Sequence, residues 1–386
     1  MKTSANSNAK ESLALHASLR GKIAVHPKTA IKTRQDLSLI YTPGVGAVSS
    51  AIAKNPLLAD KLTWKRNSVA VVSDGSAVLG LGNIGPLAAL PVMEGKCAIF
   101  KRFAGIDAVP IVLSTQDTED IIRTVKAIAP TFGAIQLEDI SAPRCFDIEA
   151  RLHDELDIPV MHDDQHGTAV VVLAGLLNGL VVVRKKLADA SIVIAGAGAA
   201  GTAVAHLLKA AGAKHIIVTD RQGAIWSGRD GLNPAKADLA QWTNPAKKTG
   251  ALQDVLQAAD VVIGTSGPGI ITADMVKRMA PQAIVFALAN PVPEIMPEIA
   301  LSAGAAVVAT GRSDFANQIN NALCYPGLFR GMLDKRVRKI SDDAKIRAAK
   351  ALAAFIKKPD ANRIIPNIFD KGLHEAVAKS VRNSST

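Results

Sequence analysis

The sequence predicts an α/β fold in two domains, each built on a largely parallel sheet, and three observations predict it. Short β-branched runs alternate with helical patterns from Ser68 onward. One such run, Ser191–Ala195, passes straight into a glycine-rich turn and then a helical stretch. The apolar share is 48 % while aromatic residues make up only 4 %, so the core must be aliphatic, which suits buried strands covered by helices. At 386 residues the chain has material for two cores.

The first forty residues are mixed and polar and read as a helix-and-arm preface. Strands are expected at Val69–Ser73, Cys97–Phe100, Val109–Leu113 and Ala134–Leu137, with helices at Thr118–Ile128 and Cys145–Glu155. A helix from Gly167 to about Lys185 then leads into strands at Ser191–Ala195, His215–Thr219, Val261–Gly264, Ala283–Leu288 and Ala305–Thr310. The domain boundary is expected near residue 165, giving an N-terminal α/β domain over 1–165 and a C-terminal one over 166–386. The tail from Ser341 to Val381 reads as helical and able to fold back onto the first domain.

Composition narrows the function classes. The longest apolar stretch, Ala169 to Val183, contains Asn178 and is shorter than the roughly 20 residues of a membrane span. The polar N-terminus shows no secretory signal. Cys97, Cys145 and Cys324 are too few and scattered for a disulfide framework, so a reducing cytoplasm is expected. Lys and Arg outnumber Asp and Glu by 45 to 34, a formal net charge of +11. The basic clusters are short, separated by neutral stretches and free of interleaved aromatics, which argues against nucleic acid. A positive field instead steers anionic small molecules.

The turn after Ser191–Ala195 is G-x-G-x-x-G, at Gly196, Gly198 and Gly201. The first glycine allows the tight turn, the second lets backbone approach a pyrophosphate, and the third permits close helix packing. The helix that follows, Thr202 to Ala211, points its N-terminus at the anion. Asp220 ends the next strand, near the position about 20 residues on where an acid binds a ribose hydroxyl. Strand, helix and acid in register predict a Rossmann-type dinucleotide-binding domain. Asp220 favours NAD, while its neighbour Arg221 could hold the 2′-phosphate of NADP. A second glycine-rich loop, Gly264-Thr-Ser-Gly-Pro-Gly269, is expected to line the same crevice.

Two acidic clusters stand where strands should end: Glu138 and Asp139 after Ala134–Leu137, and Asp163 and Asp164 after Pro159-Val-Met161. At a strand's C-terminal end adjacent acids can both turn toward one cation, and carboxylate-only ligation points to Mg2+ or Mn2+. His162 and His166 offer a transition-metal pair as an alternative, disfavoured because Gly167 is expected at a chain turn.

Several blocks then bring a family into view. Tyr41-Thr-Pro-Gly-Val-Gly, Gly80-Leu-Gly-Asn-Ile-Gly-Pro86, Pro91-Val-Met-Glu-Gly-Lys96, Leu137-Glu-Asp139, Asp163-Asp-Gln-His-Gly-Thr168, Ala289-Asn-Pro291 and Gly311-Arg-Ser-Asp-Phe-Ala-Asn-Gln-Ile-Asn-Asn321 closely resemble the malic enzymes of the small bacterial type. The resemblance runs in order over nearly the whole chain. It implies oxidative decarboxylation of malate to pyruvate with NAD or NADP, dependent on Mg2+ or Mn2+, with activity on oxaloacetate and assembly as a homodimer or larger homo-oligomer. Lys96 then matches the general base, Tyr41 the acid that protonates C3, and Asp163 the acid that tunes the lysine, whose pKa burial and a nearby cation are expected to lower. Glu138, Asp139 and Asp164 match the metal ligands. Thr168 and Asn290 match cofactor contacts, and Asn290, Asn320 and Asn321 match substrate contacts.

One departure stands out. The larger malic enzymes carry an arginine shortly after the S/T-D-G step to bind the substrate carboxylate, whereas here Ser73-Asp-Gly75 is followed by Ser76 and Ala77. The chain's length also implies no appended phosphotransacetylase-like domain. A plain malate dehydrogenase would need no cation, and a non-catalytic dinucleotide sensor would not need Tyr41, Lys96, Asp163 and three carboxylates together.

Overall fold

A computed structural model describes residues 2–384. The chain opens with α1 (Lys2–Leu19), then α2 (Arg34–Ile40), α3 (Val45–Lys54) and α4 (Ala59–Leu62). No described side chain before Ser68 is buried.

Four parallel strands follow: β1 (Ser68–Ser73), β2 (Asp107–Val112), β3 (Ala134–Leu137) and β4 (Val160–His162), in the order β2-β1-β3-β4. Every residue of β1, β3 and β4 is buried, the mark of a sheet covered on both faces. The covering helices are α5 (Pro86–Ala104), α6 (Thr118–Ile128) and α7 (Arg144–Glu155). In α6, Asp117 caps the N-terminus by accepting from the Asp120 amide, and Ile121, Ile122 and Val125 face the core.

The strand expected at Cys97–Phe100 is instead the middle of α5. Its buried residues, Ala89, Met93, Cys97 and Phe100, recur every three or four positions, the spacing of one helix face. A four-residue window cannot show that spacing. Pro86 starts the helix and Gly105, with φ of 64°, ends it.

Helix α8 (Asp163–Val182) connects the two sheets. It is the one described helix long and apolar enough to cross a membrane, but 72 % of its apolar window is buried within this fold. Its Asn178 donates to the carbonyls of Ala353 and Ile364, both at 2.9 Å, so the polar group is satisfied in the core. The helix starts four residues before Gly167, so the turn expected there is absent.

The second sheet runs β10-β9-β8-β5-β6-β7, parallel except for β7. Its strands are β5 (Ser191–Ala195), β6 (His215–Asp220), β7 (Gly223–Ala224), β8 (Val261–Gly264), β9 (Ile284–Ala287) and β10 (Val307–Thr310). Between them run α9 (Ala199–Ala210), α10 (Pro234–Trp242), α11 (Leu252–Val255), α12 (Ala273–Lys277) and α13 (Pro297–Ser302). Strand order reverses at β5, between β6 and β8, which opens a crevice at the strands' C-terminal ends.

The tail forms α14 (Tyr325–Lys335), α15 (Asp342–Ala354) and α16 (Leu373–Arg382). Of the stretch from Ser341 on, only α16 returns to the first sheet's side, packing on α14 and on α5, whereas α15 packs on α8 and α9. Phe100 of α5 meets Tyr325 and Phe329 of α14 edge-on, with ring centroids 4.8 and 5.2 Å apart.

Candidate active site

The pairing register of two short strands assembles the acidic cluster. β3 and β4 pair with Leu137 opposite His162. The residues that follow, Glu138 beside Asp163 and Asp139 beside Asp164, therefore leave the sheet together at its C-terminal end. Glu138, Asp139 and Asp164 bring carboxylate oxygens within 4.8 Å of one another. Asp163 and Asp164 also begin α8, where the helix dipole favours negative charge. Asp139 holds φ of 54°, a left-handed conformation rare outside glycine. Its amide donates to Asp164 Oδ2 at 2.8 Å, and one of its own carboxylate oxygens is buried without a partner.

Two buried acids and the partly exposed Asp164, this close, repel one another. Burial and the charge of Asp164 push Asp139 up to about 8, and burial raises Glu138 well above the carboxylate range.

Lys96, on α5, reaches into this cluster. Its Nζ is 2.6 Å from Asp163 Oδ2 and 2.9 Å from Glu138 Oε1, and 4.8 Å from the centre of the Tyr325 ring. Burial pulls the ammonium's pKa down, but Asp163 and Glu138 outweigh it and hold it well above the ordinary lysine value. The two carboxylates thus offset the lowering that burial alone gives the lysine.

A cleft of about 750 Å³ joins this cluster to the nucleotide side. Lys96, Glu138, Asp139, Asp164, Thr168, Asn290, Asn320 and Asn321 all line it. So do Thr265, Ser266, Gly267 and Pro268, so the second glycine-rich loop does border the same crevice. Asp163 lies beneath it with no exposed surface.

The first glycine loop has the close packing expected of it. Gly196 takes φ of 130°, and a Cβ on Gly201 would fall 1.8 Å from the Gly196 carbonyl. A Cβ on Gly198 would meet nothing within 4 Å, so that backbone faces open space at the N-terminus of α9.

Two sequence expectations meet a different geometry, and the disfavoured histidine pair is absent. Tyr41 is 66 % exposed on the N-terminal segment and does not line the cleft. Asp220 stands at the end of β6, but Arg229 and Lys236 occupy its carboxylate: Lys236 Nζ is 2.7 Å from Oδ2 and Arg229 Nη1 is 2.9 Å from Oδ1. These partners hold its pKa at about 2 despite burial. Arg221 is exposed beside it. His166 does not pair with His162 but with Glu149, at 3.0 Å, and Lys345, at 3.1 Å.

Other residues of the cleft escaped sequence reading. Lys22, within the polar preface, lines it and donates to the Pro91 carbonyl at 2.5 Å. Glu294 has no exposed surface and accepts from the amides of Ser266 and Ala289, at 3.0 and 2.9 Å. It thereby ties together the two loops that form one wall. Asp74, of the Ser73-Asp-Gly75 step, is buried against Arg144 at 2.7 Å rather than facing the cleft. No local signal marks Lys22 or Glu294, since each acts through residues distant in sequence.

Comparison with known proteins bears on this site. Residues 20–153 match the family described as malic enzyme, N-terminal domain, and residues 165–383 match malic enzyme, NAD binding domain. The chain is 58 % identical over 363 residues to the NAD-dependent malic enzyme of Geobacillus stearothermophilus, covering 94 % of this chain and 76 % of that one. It is 50 % identical to the bifunctional malic/malolactic enzyme of Bacillus subtilis (strain 168), over 97 % of this chain and 92 % of that one. The crystal structure of the NAD-dependent malic enzyme from Thermotoga maritima superposes with a TM-score of 0.93 at 47 % identity, covering 97 % of this chain and 99 % of that one.

Proposed function

The chain belongs to the malic enzyme family, and from that premise we propose that it converts (S)-malate to pyruvate and CO2 with NAD(P)+ and a divalent cation. The observation that carries this reading is the meeting of Lys96, Glu138, Asp139 and Asp164 in one cleft with the second glycine-rich loop and Ala200 of the first on its wall.

The carboxylate set fits Mg2+ or Mn2+: its donors are hard oxygens, they repel one another, and Asp139 keeps an unpartnered oxygen. Glu138, Asp139 and Asp164 would hold the ion, which when bound polarises the C2 oxygen and stabilises the charge left as CO2 departs. Gly196, Gly198 and Gly201, with Thr168, Thr265 and Asn290, would hold the dinucleotide, whose nicotinamide accepts the hydride from C2.

Lys96 takes the proton of the C2 hydroxyl. A cation held by Glu138 would weaken that carboxylate's grip on the ammonium, while Asp163 keeps its contact with Lys96. Asn290, Asn320 and Asn321 contact the substrate, and Lys22 supplies the positive charge that an arginine gives in the larger enzymes. Tyr41 returns a proton to C3 of the enol. The same site decarboxylates oxaloacetate, which needs no hydride acceptor. We place the domain boundary near residue 165 and the protein in the cytoplasm, where its three free cysteines stay reduced.

The test is NAD(P)H formation from L-malate, with each dinucleotide and with or without Mn2+, while pyruvate is assayed. Metal-dependent pyruvate matched mole for mole to reduced dinucleotide is the expected result. Reduced dinucleotide without pyruvate would make the protein a plain dehydrogenase.

A further inference from the structure

The first turn of α8 carries Asp163 and Asp164 toward Glu138 and Asp139, and carboxylates gathered in this way repel one another. Keeping the turn in place takes a hold from elsewhere. The helix does not cap itself, because His162, at the N-cap, makes no side-chain capping bond.

Glu149, on α7, supplies the hold from outside the helix. Its Oε1 accepts from the His162 amide at 2.7 Å, ahead of the two aspartates. Its Oε2 accepts from Gln165 Nε2 at 2.8 Å and from His166 Nε2 at 3.0 Å, just behind them. In a capping box the third residue of the helix accepts from the N-cap amide. Here that residue is Gln165, which donates instead, and a glutamate from another helix accepts in its place.

The hydrogen bonds also fix the proton on His166. The Lys345 ammonium, 3.1 Å from Nδ1, can only donate. Nδ1 must then accept, so the imidazole proton lies on Nε2, facing Glu149. A neutral histidine thus stands between a buried carboxylate and a buried ammonium, Glu149 being 5 % exposed and Lys345 8 %. Lys345 belongs to α15, which packs along α8. None of Glu149, His166 and Lys345 lines the cleft.

Resting on the reading of Glu138, Asp139 and Asp164 as cation ligands, we propose that Glu149 is a positioning residue for the metal site. With His166 and Lys345 behind it, Glu149 grips the chain on both sides of Asp163 and Asp164. It keeps those carboxylates turned toward Glu138 and Asp139 against their mutual repulsion.

The test is Mn2+ binding to the whole protein without substrate, read from the EPR signal of the free ion. It is made at a temperature where circular dichroism shows every variant folded. Glu149→Gln keeps the side chain's size but sets an amide donor against the donors of Gln165 and His166. It should weaken Mn2+ about 10- to 100-fold, the usual cost of losing a group that orients a metal ligand. Dinucleotide affinity should stay within a few-fold of wild type. Wild-type Mn2+ affinity in Glu149→Gln overturns the proposal and leaves the malate reading standing. A wild-type protein that binds no Mn2+ removes the cation from that reading and the proposal with it.

Glu149→Gln combined with Lys345→Met separates geometry from charge. The pair of changes leaves the net charge near the site unaltered and strands neither buried charge. The double variant should still bind Mn2+ at least 10-fold more weakly than wild type. If its affinity returns to the wild-type value, Glu149 only balances charge and the proposal falls. Should Glu149→Gln alone not fold, the double variant is compared with wild type in its place.

Discussion

Lys96 and Asp163, 67 residues apart in sequence, meet at 2.6 Å between Nζ and Oδ2, with the carboxylate wholly buried. Their geometry depends on a third residue. A Cβ on Gly167 would lie 1.9 Å from Asp163 Oδ1. The glycine is in α8, where alanine would otherwise suit the helix better.

Gly167→Ala should therefore displace Asp163 and cut kcat by roughly 10²-fold or more, since misplaced proton-transfer groups lose most of their effect. Dinucleotide affinity, measured by fluorescence titration, should stay within a few-fold of wild type. Unchanged kcat would remove the Lys96–Asp163 contact from the mechanism.

Asp139→Asn should separate metal binding from folding. Asp139 is a buried acid whose charged form its surroundings disfavour, so the metal-free variant should melt at or above the metal-free wild type. Mn2+ at 100 times its Kd should stabilise the wild type by about 2.7 kcal/mol, because it binds the folded state alone. The variant should show little of that rise in a thermal melt, and an undiminished rise would place the cation elsewhere.

Asp220 is neutralised by Arg229 and Lys236, and so presents little negative charge to a 2′-phosphate. Arg229→Ala should free part of that charge. The kcat/KM for NADP+ should then fall about tenfold relative to that for NAD+, a difference of roughly 1.4 kcal/mol. An equal loss with both dinucleotides would show that Asp220 only holds its loop in shape.

His374 sets a pH limit on stability. It is buried against Phe103, ring centroids 4.8 Å apart, and burial lowers its pKa to about 4. The unfolded chain, with an ordinary histidine near pH 6.5, binds the proton more readily. Stability is thus full above about pH 6.5 and declines as pH falls toward about 4, by on the order of 3 kcal/mol. His374→Leu should remove that part of the slope in urea unfolding at stepped pH, and a slope equal to wild type would assign it to other groups.

The sequence by itself determined the order and type of nearly all the strands, because β-branched apolar runs are local. It determined the dinucleotide loop for the same reason, since strand, three glycines and helix are contiguous. It also placed Glu138, Asp139, Asp163 and Asp164 at strand ends. It misread Cys97–Phe100, whose helical spacing shows only over a span several times longer. What only the tertiary structure decided depends on distance across the fold: the register that sets Leu137 opposite His162, the arrival of Lys96 from α5, and the clasp of Glu294 on two loops. The occupation of Asp220 by Arg229 and Lys236 and the exposure of Tyr41 belong with these. Charge pairing and burial are set by neighbours in space, and a residue's neighbours in sequence do not specify them.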